Sequence, residues 1–243
     1  MEAKKGRREM KKFELTTEFI TNAFGKKLFR IKALVEFGDV KAGELGGYVE
    51  KEGNVSQADN AWVYGDARVY DNAWVYGDAR VSGDARVSGD ARVSGDARVS
   101  GDAEVYDNAW VYGDARVYGD AEVYDNAWVY GDAWVSGNVR VSGNAWVYGN
   151  AWVSGNVRVS GDARVSNNAD YALVQGFGTK FRCTTFYRGK NKKIMVNCGC
   201  FHGDLEEFRK QVKETRSGKI AKEYLMIADL MEYHFASEDS DDE

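Results

Sequence analysis

The chain is poor in cysteine and histidine, contains no proline and has no long apolar run. Among its 243 residues, three are cysteine and two are histidine. No apolar segment approaches the ~18 residues of a transmembrane helix, and the N-terminus lacks the apolar core of a secretion signal. An odd number of cysteines without such a signal indicates free thiols in a reducing compartment. We therefore expect a soluble cytoplasmic protein without a membrane partner.

The charge distribution separates the two termini from the rest of the chain. The formal net charge is -5, which does not indicate a general nucleic-acid binder, and we predict no sequence-specific nucleic-acid partner. Basic residues are concentrated in residues 1–12, and acidic residues dominate 237–243. Both segments are predicted to be disordered tails.

A hexapeptide repeat occupies residues 61–169. Valine recurs at every sixth position from Val63 to Val165, eighteen times without a gap, within the unit V-[YS]-[GDN]-[DN]-[AV]-[RWE]. Strand alternation sends valine inward and its two neighbours outward. The small residue four places after valine also points inward. The Gly-Asp, Asp-Asn or Gly-Asn pair suits a tight corner with left-handed backbone.

This repeat predicts a mainly β protein built on a left-handed parallel β-helix. Three short strands and three corners close a triangular coil of eighteen residues, which gives about six coils. At ~4.8 Å per coil, the prism is roughly 29 Å long. Stacking buries the valines that no single coil can bury alone. Residues 13–60 are predicted to form an N-terminal β cap, and residues 170–236 a C-terminal ββαα module.

The aliphatic residue followed four places later by a small one resembles the hexapeptide-repeat superfamily. That resemblance implies a homotrimer, and its best-known members are acyltransferases. An acyltransferase needs a general base, usually histidine. The coils contain no histidine and no inserted loop, and His202 and His234 follow the repeat. We therefore predict a non-enzymatic protein without a cofactor and keep acyl transfer as the minority alternative.

The face of the prism that carries Val75 presents two outward aromatic columns, found by taking every eighteenth residue. Aromatic patches of this size usually mark an interface, which we predict to be the homotrimer contact. The alternative is that they only stabilise neighbouring strands. The predicted interface residues are Trp74, Tyr76, Trp110, Tyr112, Trp128, Tyr130, Trp146 and Tyr148.

The face that carries Val81 combines arginine with tryptophan. Its outward column begins with Trp62, and stacked arginines repel one another unless an anion lies across them. Tryptophan offers a plane for stacking. The predicted site for a small anionic, nucleotide-like ligand is Arg80, Arg98, Arg116, Trp134 and Trp152. Alternatively, these arginines pair with the corner aspartates.

The face that carries Val69 has a self-contained charge pattern. Arg86 and Glu104 are predicted to pair, as are Glu122 and Arg140, and we assign this face no function. Stacked corner aspartates could in principle hold calcium. Calcium-binding β-rolls, however, use a nine-residue unit, so we predict no metal there.

The C-terminal module is predicted from a hairpin and two helices. Strands over 180–187 and 194–201 flank a turn at 188–191, with Cys183 opposite Cys198. Cys183, Cys198, Cys200 and His202 could hold zinc, although buried free thiols are commoner. Asp204 and Glu207 form a capping box for a helix through Phe208 and Val212. A second helix is predicted to bury Ile220, Tyr224, Ile227, Leu230 and Met231.

Two flanking motifs resemble uncharacterised phage and prophage proteins of Gram-positive bacteria, which are often labelled putative transferases. The motifs are Gly38-Asp-Val-Lys-Ala-Gly-Glu-Leu-Gly-Gly47 and Cys198-Gly-Cys-Phe-His-Gly203. This resemblance implies a bacterial host cell. It leads to the hypothesis that a trimeric solenoid sequesters a nucleotide-like ligand as a counter-defence factor. The alternative is a scaffold or inhibitor that binds a host protein.

Overall fold

The computed structural model describes residues 11–236. The first three strands are β1 (Phe13–Thr21), β2 (Lys27–Ala33) and β3 (Leu45–Val49). They pair in antiparallel order β1-β2-β3, and β3 then pairs in parallel with the first coils. A short 3-10 helix, Glu52–Asn54, leads into the repeat. No helix within residues 11–236 is long and apolar enough to cross a membrane.

Eighteen short strands, β4 to β21, form three parallel sheets. Each strand pairs with the strand eighteen residues away, for example Val99 with both Val81 and Val117. The strands are Trp62–Val63, Arg68–Val69, Trp74–Val75, Arg80–Val81, Arg86–Val87, Arg92–Val93, Arg98–Val99, Glu104–Val105, Trp110–Tyr112, Arg116–Tyr118, Glu122–Val123, Trp128–Tyr130, Trp134–Ser136, Arg140–Val141, Trp146–Val147, Trp152–Ser154, Arg158–Val159 and Arg164–Val165.

The prediction of a parallel β-solenoid is confirmed, and the solenoid has about 7 turns rather than six. The extra turn precedes the valine repeat, where β3 stacks on Arg68–Val69 and Val55 bridges to Val75. The sequence repeat is absent from this turn, which explains why periodicity alone missed it. The left hand of the helix stays a prediction.

The core of the solenoid is a stack of valines and small residues. Each repeat valine from Val63 to Val165 is fully buried, as are the alanines from Ala67 to Ala163 at the position four places on and the two valines, Val139 and Val157, that replace alanine. Ala169, the last of the series, is exposed because the repeat ends there. This confirms the predicted inward positions. Because identical residues stack at every level, each coil completes the burial of its neighbours.

Trp62 departs from the predicted pattern. We expected it to point outward on the Val81 face, but its side chain is fully buried. Phe13 and Phe37 of the N-terminal module pack edge-on against its ring, at centroid distances of 5.8 and 5.3 Å. The side chain points outward from the coil, but the N-terminal module packs over it.

The corners have the predicted left-handed backbone. Gly101 has φ +73°, and a Cβ there would lie 3.0 Å from the backbone nitrogen of Gly119 in the next coil. Asp71 and Asp125 adopt the same conformation, with φ of 61° and 58°. Asp125 Oδ2 accepts a hydrogen bond from the Gly143 N–H, one coil on, at 3.0 Å. The corner therefore accepts aspartate because the carboxylate satisfies a neighbouring N–H.

The N-terminal end of the solenoid is covered by its own chain. Lys12 Nζ donates to the carbonyls of Asp59 and Ala61, at 2.7 and 2.8 Å. Asn54 Nδ2 donates to the Ala73 carbonyl at 2.9 Å. Lys12 was predicted to end a disordered basic tail, but it is buried. The remainder of that predicted tail, except Lys11, and the acidic tail at 237–243 lie outside the described residues.

The C-terminal module covers the other end and contains four strands rather than the predicted two. They are β22 (Tyr171–Phe177), β23 (Arg182–Arg188), β24 (Ile194–Cys198) and β25 (Phe201–Asp204), in that order, after a 3-10 helix at Asn168–Asp170. Arg158 N–H donates to Thr185 Oγ1 at 3.2 Å, and Asn197 Nδ2 donates to the Arg158 carbonyl at 2.9 Å. These side chains supply the hydrogen-bond partners that the backbone of a further coil would otherwise provide.

Two helices complete the module, α1 (Leu205–Thr215) and α2 (Gly218–Phe235). The Asp204–Glu207 capping box is confirmed. Tyr224, Ile227 and Met231 are buried as predicted, but Leu230 is 58% exposed because the contact stripe of α2 is narrower than its apolar face. The predicted pairing of Cys183 with Cys198 is wrong by one residue, since Thr184 lies opposite Cys198.

Candidate functional site

The aromatic columns on the Val75 face form a continuous ladder over three coils. Trp110, Trp128 and Trp146 stack with centroids 5.3 Å apart and planes within 9°. Tyr112, Tyr130 and Tyr148 form the parallel column, with spacings of 4.9 and 5.2 Å. The six side chains remain partly exposed. We call these six residues the aromatic ladder.

Arginines end the tryptophan column at both ends. The Arg92 guanidinium lies 4.8 Å from the Trp110 ring centroid, and that of Arg164 lies 4.1 Å from Trp146. Trp74 and Tyr76, also predicted for the interface, stack on each other at 4.0 Å. The strand Arg92–Val93 lies between these two residues and the ladder. The eight predicted residues thus form two patches, and their role as an interface stays a prediction.

The tyrosine column is partly buried by its own stacking. Partial burial raises the pKa of Tyr112 and Tyr130, and each also faces the hydroxyl of the next tyrosine, Tyr130 and Tyr148 respectively. Tyr112 and Tyr130 therefore stay neutral through the physiological range. A neutral aromatic surface costs less to remove from water than a charged one, which suits a contact surface.

The arginine–tryptophan column on the Val81 face is not a uniform site. Arg80 pairs with Asp39 of the N-terminal module, not with a corner aspartate. The Arg116 guanidinium lies 4.7 Å from the Trp134 ring centroid, and Trp134 meets Trp152 edge-on at 5.8 Å. Arg98 is exposed and, within residues 11–236, makes no salt bridge. Ligand binding by these five residues stays a prediction.

The Val69 face has the predicted charge pairs. Arg86 contacts Glu104, and Arg140 Nη2 lies 3.0 Å from Glu122 Oε1. Both interactions join residues eighteen apart, so the repeat period alone locates them. On exposed surfaces such pairs contribute little, roughly 0–1 kcal/mol.

A cleft at the junction of this face with the C-terminal module was not anticipated from the sequence. Its volume is about 840 Å³. The solenoid wall contributes Arg140 and Arg158, and the C-terminal wall contributes Arg182 and His202. Its lining residues come from the repeat and from the non-repeating C-terminal module, so no single sequence motif indicates the cleft.

The cysteines do not gather into a metal centre. All three are free, and Cys198 accepts a hydrogen bond from Thr184 Oγ1 at 3.2 Å. Within residues 11–236, no group of three histidine, cysteine or acidic side chains has the geometry to hold a metal ion. Cys183 and Cys200 both line the cleft instead.

Comparison with known families places the solenoid next to two β-solenoid groups. Residues 73–172, less than half of the chain, match the model of the Bactofilin family, described as polymer-forming cytoskeletal. Residues 61–77 match the YdcK β-solenoid repeat. No curated protein matches the sequence. The repeat region is thus similar to families of β-solenoid proteins.

Proposed function

We propose that this chain is a non-enzymatic scaffold that associates laterally with further copies of itself through the aromatic ladder. The ladder carries the proposal, because partly exposed aromatic rings on a flat, rigid face are typical of a protein interface. The likeness of residues 73–172 to a polymer-forming family supports self-association. A purely structural role of the rings would leave their outer edges without a partner.

The covered ends of the solenoid favour side-by-side over end-to-end contact. Lys12 and Asn54 donate to backbone carbonyls at one end. At the other end, Thr185 accepts from the Arg158 N–H and Asn197 donates to the Arg158 carbonyl. A second solenoid could not add another coil without displacing them. A lateral contact that closes on itself gives the trimer implied by the hexapeptide-repeat resemblance, whereas one that does not close gives a polymer.

The test replaces the two outward residues of one ladder strand with those of another strand on the same face. The double variant Trp128→Arg/Tyr130→Ser reproduces the sequence of Arg92-Val93-Ser94 on the same face. We expect the native protein to show the mass of a trimer or larger assembly by size-exclusion chromatography with light scattering. The double variant should show the monomer mass, since the centre of the contact is lost.

Tyr106→Ser is the matched control. Tyr106 stacks on Tyr124 at 5.0 Å on the Val69 face, and serine stands at the same position of that column in Ser88. This variant should keep the native mass. A monomeric native protein, or a double variant with unchanged mass, would overturn the proposal.

A second candidate function is retention of a nucleotide-like anion on the Val81 face. It is supported by Arg98, which makes no salt bridge within the described residues, and by Arg116 against Trp134. The counter-defence role and the binding of a host protein depend only on the resemblance to phage proteins. Binding of pyrophosphate that Arg98→Ala abolishes would support this candidate.

Acyl transfer is the weakest candidate. The eighteen-residue register is continuous from Val63 to Val165, so no loop leaves the coils to shape an acceptor site. The coils contain no histidine to serve as a general base. We also propose the division into cap, solenoid and C-terminal module at residues 13–60, 61–169 and 170–236.

A further inference from the structure

The structure assigns a second candidate binding site, for a small phosphorylated molecule, to the cleft between the Val69 face and the C-terminal module. This inference does not depend on the aromatic ladder. A volume of about 840 Å³ lies within the range of small-molecule sites. The concave shape separates this cleft from the flat Val81 face.

The charge of the cleft is unusual for a chain with a net charge of -5. Its lining includes three arginines and no carboxylate. Arg140 is paired with Glu122, which lies outside the lining. Arg158 and Arg182 are exposed and make no salt bridge within residues 11–236. Two guanidinium groups in one cleft that is lined by no carboxylate offer donors to a phosphate, which guanidinium binds through bidentate hydrogen bonds.

Hydrogen bonds around His202, which lines the cleft, determine which ring nitrogen carries the proton of the neutral ring. Asn197 Nδ2 faces the Arg158 carbonyl at 2.9 Å, which can only accept, so the orientation of the amide is determined. Asn197 Oδ1 then lies 2.8 Å from His202 Nδ1 and must accept its proton. In the neutral ring, Nε2 is therefore the unprotonated nitrogen.

The same network makes the wall of the cleft rigid. Asn197 Nδ2 also lies 3.0 Å from Ser160 Oγ and 3.2 Å from the buried Tyr187 hydroxyl. Ser160 belongs to the solenoid, whereas Asn197 and Tyr187 belong to the hairpin. The two walls are thereby held together before any ligand arrives, which lowers the entropic cost of binding.

Titration calorimetry with inorganic pyrophosphate at low ionic strength tests the site. We expect Arg158→Ala and Arg182→Ala each to weaken binding about tenfold or more, the loss typical of a charge-assisted hydrogen bond. Arg92→Ala is the matched control, an exposed arginine on the Val75 face that makes no salt bridge within residues 11–236, and it should bind as the native protein does. Both cleft residues are exposed, so circular dichroism should show an unchanged fold.

Nitrogen NMR of the two histidines gives an independent measurement. Pyrophosphate should shift the ring-nitrogen signals of His202, which lines the cleft, and leave those of His234, on the exposed side of α2, unchanged. Three results would overturn the assignment: no binding by the native protein at millimolar pyrophosphate, binding lost in Arg98→Ala but kept in the cleft variants, or an unchanged His202 signal at saturation.

Discussion

At the scale of single residues, Lys12 shows how a charged side chain can end a solenoid. Its ammonium group approaches two backbone carbonyls that would otherwise pair with a preceding coil, and it lies 4.6 Å from the Phe37 ring centroid. Burial lowers the pKa of Lys12 from 10.5 to about 8, against the opposing effect of Asp59. The amine can donate both hydrogen bonds with or without its charge.

The lowered pKa of Lys12 predicts a pH dependence of stability. Between about 8 and 10.5 the unfolded chain holds the Lys12 proton and the folded chain does not. The contribution of Lys12 to the free energy of unfolding therefore rises with pH across this window. Urea unfolding of the native protein and Lys12→Met should show a difference in stability that grows in favour of the native protein as pH rises. A difference that stays constant or shrinks would contradict the lowered pKa.

At the scale of the coil, the corners decide which substitutions the solenoid tolerates. Glycine stands at most corners because the left-handed conformation and the coil spacing leave little room for a Cβ. Asp71 and Asp125 nevertheless occupy equivalent corners, and each accepts a hydrogen bond from the glycine N–H one coil on. Hydrogen bonding to the next coil compensates for the crowding.

A comparison of two substitutions at Gly101 tests this balance. Gly101→Ala adds strain without a hydrogen bond and should lower the free energy of unfolding by about 1–3 kcal/mol. Gly101→Asn is larger but should cost less, because its side-chain oxygen can accept from the Gly119 N–H and asparagine tolerates the left-handed region. Urea midpoints measure both, with Gly53→Ala as a control in open space. An alanine variant as stable as the asparagine variant would refute the hydrogen-bond explanation.

At the scale of the whole molecule, the solenoid is a stack of equivalent coils between two different caps. Every interior strand pairs with neighbours eighteen residues away, so the coils are interchangeable in their core contacts. The caps are specific, because each satisfies the backbone of one particular terminal coil. Length should therefore be adjustable in units of one coil without disturbing either cap.

Removal of one complete coil tests this modularity. Deletion of residues 83–100 joins Ser82 to Gly101 in register and leaves the aromatic ladder and both caps in place. The shortened protein should fold, with a lower unfolding temperature in proportion to the lost burial. Deletion of residues 83–97, fifteen instead of eighteen, should abolish cooperative unfolding because it breaks the hexapeptide unit and turns valines outward. Thermal melting followed by circular dichroism distinguishes the two, and equal behaviour of both deletions would argue against periodic stacking.

The sequence by itself determined the solenoid, its valine and alanine core, its left-handed corner residues and the two ion pairs of the Val69 face. All of these depend on contacts between residues eighteen apart. A strict period therefore determines which residues are neighbours in adjacent coils. The same period places the residues of the aromatic ladder in two vertical columns.

Only the tertiary structure decided the contacts that the non-repeating segments make at the two ends of the repeat. The burial of Trp62, the pairing of Arg80 with Asp39, the shift of Cys183 away from Cys198 and the cleft near His202 each depend on how non-repeating segments pack. Such contacts arise from the shapes and hydrogen-bonding needs of two particular surfaces, and no spacing in the sequence encodes them.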